Sequence, residues 1–135
     1  GSGLPGIVLA IIAKHKNIQM QFDLYEKSFK KSQFLNHAVK KFNLKAKILQ
    51  KDIFEEKNLV TDLIVARAFK PLPIILKLAN SNFKTFKSLI LFLGRNDKNL
   101  IKESLKEWSF EYKEKKSITS EESLIVKIWN LKKNV

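Results

Sequence analysis

Short apolar runs of strand character recur along this chain with helix-period segments between them, and that alternation restricts the fold more than any other feature. Residues 18–25 read as a strand ending at Glu26, and 28–42 as a helix with Phe34, Leu35, Ala38, Val39 and Phe42 at helical spacing. Residues 45–50 form a short alternating strand closed by Asp52, and 62–66 an apolar strand running into Arg67. Pro71-Leu72-Pro73 opens another helix, to about Ala79, because proline is tolerated in a helix's first turn. After the apolar run 87–93 come a polar helix at about 97–107, a segment 108–112, a basic turn 113–116 and a closing strand 124–131. Ahead of all these, Gly1-Ser2-Gly3-Leu4-Pro5-Gly6 is a glycine-rich turn entering a helix that runs to about Lys14. Strands alternating with helices predict an α/β fold, a parallel sheet with helices on both faces, and the last two strands predict an antiparallel hairpin at its edge. The hairpin weighs against an ordinary dinucleotide-binding fold, which usually ends in parallel strands.

A doubly wound sheet grows outward from a central first strand, whereas this sequence opens on the loop that should follow that strand. Unpaired buried backbone groups cost about 1 to 3 kcal/mol each, against a total stability of about 5 to 15 kcal/mol. The sequence is therefore expected to be a fragment lacking its N-terminal part.

With 135 residues, 44% of them hydrophobic, the chain can bury one core but is short for two, so residues 1–135 are expected to form a single domain. The absence of cysteine removes disulfides, thiolate metal sites and a cysteine nucleophile, and two histidines, His15 and His37, give little basis for a metal centre. No apolar run approaches the roughly 18 residues of a membrane span, and no basic residues precede the first one as in a secretory signal. A cytoplasmic protein is expected. Basic residues outnumber acidic ones 26 to 13, and the formal charge of +13 favours a polyanionic partner, RNA or DNA, through counterion release. An AT-rich genome is a plainer source of so many lysines. Only Arg67 and Arg95 are arginine, which marks both as places where a planar, bidentate cation is useful.

A glycine-rich turn between strand and helix lets a cofactor approach the backbone, and Gly1, Gly3 and Gly6 meet that need, although a simple tight turn has the same composition. Glu26 lies at an expected strand end about 20 residues beyond the loop, where a carboxylate can accept from both ribose hydroxyls of an adenosine. The alternative is a solvated surface glutamate; Asp23, the rival carboxylate, falls along the strand by alternation. Asp52 follows the next strand, either accepting from an adenine amino group or capping a helix over 53–57. Arg67 closes the strand after that, as an anion partner or as half of a structural ion pair. No Ser, His and Asp set and no close carboxylate pair points to hydrolysis. Lys14, Lys16, Lys30, Lys31, Lys40 and Lys41 offer non-specific phosphate contacts but equally suit solvated helix faces, and are not counted as sites.

These residues resemble the RsmG (GidB) family of small-subunit (16S) rRNA guanine-N7 methyltransferases. Gly1-Ser2-Gly3-Leu4-Pro5-Gly6 looks like the second half of the family's glycine motif, whose opening Asp-x-Gly-Ser/Thr is absent here. Glu26, Lys30, Lys31, Phe34 and Leu35 resemble its acidic residue and the helix start that follows. Residues 62–72, with Ala66-Arg67-Ala68-Phe69 at their centre, resemble its most distinguishing segment, and the likeness continues more loosely through Leu91-Phe92-Leu93-Gly94. The resemblance implies a class I Rossmann-like fold using S-adenosylmethionine (SAM), with its first strand missing and a terminal antiparallel hairpin. Gly1, Gly3 and Leu4 would line the methionine side of SAM, Glu26, Lys27 and Ser28 the ribose, and Asp52, Ile53 and Phe54 the adenine. Arg67 would reach the cofactor or substrate face. The chain departs from the family in Asp52-Ile53-Phe54, usually Arg-Ala-Glu, and in Leu93-Gly94-Arg95, usually Leu-Lys-Gly, so that Arg95 replaces a lysine as an RNA contact. The implied partner is 16S rRNA or the small ribosomal subunit, with no membrane and no metal. The competing reading is a catalytically inactive methyltransferase-like RNA-binding module. A monomer is expected, because no apolar stripe exceeds what the sheet and helices should bury.

Overall fold

A computed structural model describes residues 5–67, 70–94, 99–116 and 124–135. The chain divides into two compact units, Gly1–Glu55 and Glu56–Val135.

In the first unit, helix α1 (Gly6–His15) starts at Pro5, whose carbonyl accepts from Leu9 N at 3.0 Å. Ala10 and Ala13 form its buried stripe, and such small side chains let the helix lie close to the sheet. Gly6 carries this furthest: a Cβ there would stand 2.2 Å from Leu24 Cδ2. Strand β1 (Phe22–Tyr25) pairs in parallel with β2 (Ala46–Leu49), Phe22 opposite Ala46 and Tyr25 opposite Leu49. It is shorter than the expected 18–25, since β2 offers only four residues of ladder; Ile18 and Met20 lie outside it and are exposed. Between the strands, α2 (Phe29–Lys41) begins at Ser28, whose hydroxyl accepts from Lys31 N at 3.3 Å. Its buried stripe is Ser32, Leu35 and Ala38, so Phe34, one residue off that stripe, is 68% exposed, and Phe42 beyond the helix end is also exposed. Both helices stop in the same way. Ile18 N bonds Ala13 O and Asn17 N bonds Lys14 O after α1; Leu44 N bonds Val39 O and Asn43 N bonds Lys40 O after α2. Asn17 (φ 55°) and Asn43 (φ 49°) take the left-handed conformation such Schellman turns require.

In the second unit, β4 (Leu63–Arg67), β6 (Ser88–Leu93), β7 (Trp108–Lys116) and β8 (Leu124–Lys133) form one sheet in the order β4-β6-β8-β7. β4 and β6 are parallel; β8 is antiparallel to both β6 and β7, so the hairpin is present with its second strand inserted beside β6. Helix α3 (Leu72–Asn82) runs three residues beyond the expected end, and its Leu72, Ile75, Leu76 and Ala79 meet Leu89, Leu91, Leu93, Leu124, Val126 and Ile128 in the core. Helix α4 (Leu100–Ser104) adds Ile101 to that cluster; it is shorter than the expected 97–107, and residues 95–98 lie outside the described residues. Residues 113–116, expected as a basic turn, continue β7, with Lys113 opposite Lys127 and Lys116 opposite Leu124. Lysines on an outermost strand discourage pairing with another chain, which explains a strand that reads as a turn. The sequence gives no sign of a short parallel pair, β3 (Leu59–Val60) with β5 (Phe83–Thr85), because two or three residues show no period.

No helix among the described residues is long and apolar enough to cross a membrane. Helix α1 leaves Val8, Ile11 and Ile12 exposed at helical spacing.

Candidate cofactor edge

Open α/β sheets bind ligands beyond the carboxyl ends of their strands, so the residues that follow β1, β2 and β4 are the ones to inspect. Glu26 directly follows β1. Its amide continues the ladder by donating to Leu49 O at 3.0 Å, which fixes the backbone at the strand tip. The residue is 7% exposed, and Oε2 accepts from Ser28 N at 3.1 Å. The surface-glutamate alternative is thereby excluded. Ser28 thus takes part in two contacts, since its amide meets Glu26 and its hydroxyl caps α2. Lys27 between them is exposed.

Asp52 repeats the arrangement after β2. Oδ1 accepts from Phe54 N at 3.0 Å, and the backbone carbonyl accepts from Glu55 N at 3.0 Å, closing a single 3-10 turn over Ile53–Glu55. The capping alternative is what the structure shows, over a turn shorter than 53–57. Asp52, Ile53 and Phe54 are all half-buried. Because β1 and β2 are adjacent and parallel, Glu26, Ser28 and Asp52 stand at the same edge of this two-stranded sheet. Each carboxylate is held by the amide two residues ahead, so its orientation is set by local backbone.

Arg67 is the last residue of β4 in the second unit, opposite Phe92 of β6, and is exposed. Among the described residues no salt bridge to Arg67 is found. Gly1, Gly3, Leu4, Ala68, Phe69 and Arg95 lie outside the described residues. The structure gives Gly6 a different task from the one its sequence suggested: the space its missing Cβ leaves is filled by Leu24, so this glycine serves helix–strand packing and not cofactor approach. Its place as the last glycine of the turn was the available signal. Among the described residues no group of three or more His, Cys, Asp or Glu could hold a metal ion.

The strand order and the acidic edge define a fold of the class I SAM-dependent methyltransferases. M. capricolum TrmK, solved with S-adenosyl-homocysteine, superposes with a TM-score of 0.64 at 15% identity, covering 90% of this chain and 56% of that one. M. jannaschii TYW2, solved with AdoMet, gives 0.61 at 13% identity over 99% and 66%. Residues 1–127 match the family described as rRNA small subunit methyltransferase G, and the chain belongs to that family. The Pelagibacter ubique protein named ribosomal RNA small subunit methyltransferase G is 44% identical over 98% of this chain and 62% of its own length. Its Dinoroseobacter shibae namesake is 30% identical over 95% and 66%. The chain therefore spans less than two thirds of these relatives.

Proposed function

We propose that this chain is the SAM-binding domain of an enzyme that methylates N7 of a guanine in 16S rRNA, free or within the small ribosomal subunit. The observation that carries the reading is the buried Glu26 at the tip of β1, sharing an edge with Asp52 at the tip of β2. A carboxylate is an acceptor-only group with about four lone-pair positions, so it can take the Ser28 amide and the two hydroxyls of a ribose together. These residues fit an adenosine: Glu26 and Ser28, with Lys27 beside them, hold the ribose, while Asp52, Ile53 and Phe54 flank the adenine. Gly1, Gly3 and Leu4 are assigned to the methionine side by the family motif, Arg67 to the cofactor or substrate face, and Arg95 to RNA. When bound, SAM supplies an electrophilic methyl on sulfur. Guanine N7 carries an exposed lone pair and loses no proton on methylation, so the protein's task is alignment, and no general base is required of it. The family match runs through both units, which supports one domain over residues 1–135. A monomer in the cytoplasm completes the reading, with α1's exposed stripe as the surface that sedimentation of the chain would test.

The test is calorimetric titration of S-adenosyl-homocysteine into the chain and its Glu26→Ala variant, with 7-methylguanosine in small-subunit RNA measured at limiting SAM. Binding and methylation that both fall at least tenfold in the variant fit the loss of charge-assisted hydrogen bonds of about 1.5 to 3 kcal/mol each. Parental methylation by Glu26→Ala overturns the assignment; RNA binding without SAM uptake supports the inactive module.

A further inference from the structure

Lysines of the first unit stand at both ends of its strands, but its acidic residues, apart from the exposed Asp23 within β1, stand at one end only. Residues 1–22 and 27–51 contain no Asp or Glu, and Glu26, Asp52 and Glu55 follow the carboxyl ends of β1 and β2. The amino ends of the same strands receive the two helix ends and their lysines: Lys14 and Lys16 from α1, Lys40 and Lys41 from α2, and Lys45 ahead of β2, all exposed. The two Schellman turns bring these groups together. Lys14 Nζ donates to Phe42 O at 2.6 Å, linking the end of α1 to that of α2, and Lys45 Nζ donates to Gln19 Oε1 at 2.7 Å. A cavity of about 180 Å³ opens between the turns, with Lys14, Asn17, Gln19, Asn43 and Lys45 among its lining residues. At its side the exposed ring of Phe42 lies 5.7 Å from Lys41 Nζ.

We propose that this edge, formed by residues 14–20 and 40–45, binds the phosphate backbone of RNA at a site separate from the cofactor edge. Lysines at helix ends ordinarily complement the helix dipole, which accounts for Lys14. Dipole complementarity does not call for Lys45, which follows the turn, or for the removal of every carboxylate from both flanking segments. An ammonium has three donors, so Lys14 and Lys45 keep capacity for phosphate after their one bond each. Asn17 and Asn43 add neutral amides of the kind that contact phosphate oxygens. Phe42 beside Lys41 supplies an aromatic face with a cation, the pairing on which unpaired bases stack, and this favours RNA over a lipid surface. β1 advances about 3.3 Å per residue, so its amino end lies about 13 Å from Glu26, and RNA held there leaves the cofactor edge clear. The choice of RNA among polyanions rests on the proposed function; the basic edge itself does not.

The test is fluorescence anisotropy of a labelled single-stranded RNA with the full chain, without cofactor, across a salt series. The Lys16→Gln, Lys40→Gln, Lys41→Gln triple variant should lower the slope of log affinity against log salt by about 2, at roughly 0.7 per phosphate contact. A scattered triple of equal charge change, Lys77→Gln, Lys84→Gln, Lys106→Gln, should leave a larger slope, and arginine at 16, 40 and 41 should bind as the parent does. Equal falls in both glutamine triples overturn the proposal in favour of net charge alone. Retained RNA binding with lost binding to phosphatidylglycerol vesicles overturns it in favour of a membrane surface. Loss of S-adenosyl-homocysteine binding, measured separately, bears on the cofactor edge and not on this one.

Discussion

Gly6→Ala separates packing from cofactor approach. The added methyl would lie 2.2 Å from Leu24 Cδ2, with Leu24 Cγ at 3.5 Å and Cδ1 at 3.6 Å. Carbon atoms settle at about 3.5 to 4.0 Å, so Cδ2 must retreat by more than an ångström while its neighbours already touch the new atom. Leu24 is half-buried and can rotate, at about 0.5 to 1.5 kcal/mol for an off-rotamer χ angle. Overpacking a core costs about 1 to 3 kcal/mol, and alanine returns up to about 1 kcal/mol of helix propensity. With the full propensity return the net expectation is a loss of about 0 to 2 kcal/mol, read as a lower thermal midpoint by circular dichroism. Because the cost arises in one contact, Leu24→Ala in the same chain should remove it, giving a coupling of about 1 kcal/mol in the double-mutant cycle. Equal losses with and without Leu24, or a stabilised single variant, would refute the packing account. Weakened S-adenosyl-homocysteine binding at unchanged stability would return Gly6 to the cofactor.

Ser28→Ala removes the acceptor for Lys31 N and should cost about 1 kcal/mol in urea unfolding, while leaving the amide that meets Glu26 in place. Phe34→Ser should stay within about 0.5 kcal/mol of the parent, since the ring is 68% exposed, whereas Leu35→Ala, at 2% exposure one residue on, should lose about 2 to 5 kcal/mol. Similar losses at the two positions would mean that the buried stripe of α2 is misplaced.

Long periodic elements were legible because their pattern repeats. β6 alternates half-buried and buried over six residues, and α2 is bracketed by Ser28 and Asn43. Elements set by partners were not: β1 is cut to four residues by the length of β2, and residues 113–116 are strand only because β8 runs antiparallel beside them. At the candidate site the strand tips were readable from spacing, which put Glu26 and Asp52 at one edge. Burial of Glu26 was not, since it depends on the turn into α2 aiming the carboxylate at Ser28 N. Gly6 shows the opposite limit, where composition suggested an open approach and a leucine 18 positions later fills it.

The two carboxylates have a local role that must be parted from any ligand role before a loss of binding is interpreted. Glu26 and Asp52 each hold the amide two residues ahead, so alanine at either position unfastens a turn as well as removing a charge. Amide replacement divides these effects. Glu26→Gln keeps a carbonyl oxygen for Ser28 N and so keeps the entry to α2, yet it offers a diol one neutral acceptor and an NH₂ in place of a carboxylate. If the carboxylate serves only the turn, Glu26→Gln should restore what Glu26→Ala loses in both stability and S-adenosyl-homocysteine affinity. If it also holds a ribose, stability should return and affinity should not. Neutral hydrogen bonds are roughly half as strong as charged ones, so about tenfold weaker binding at parental thermal midpoint is the expected result.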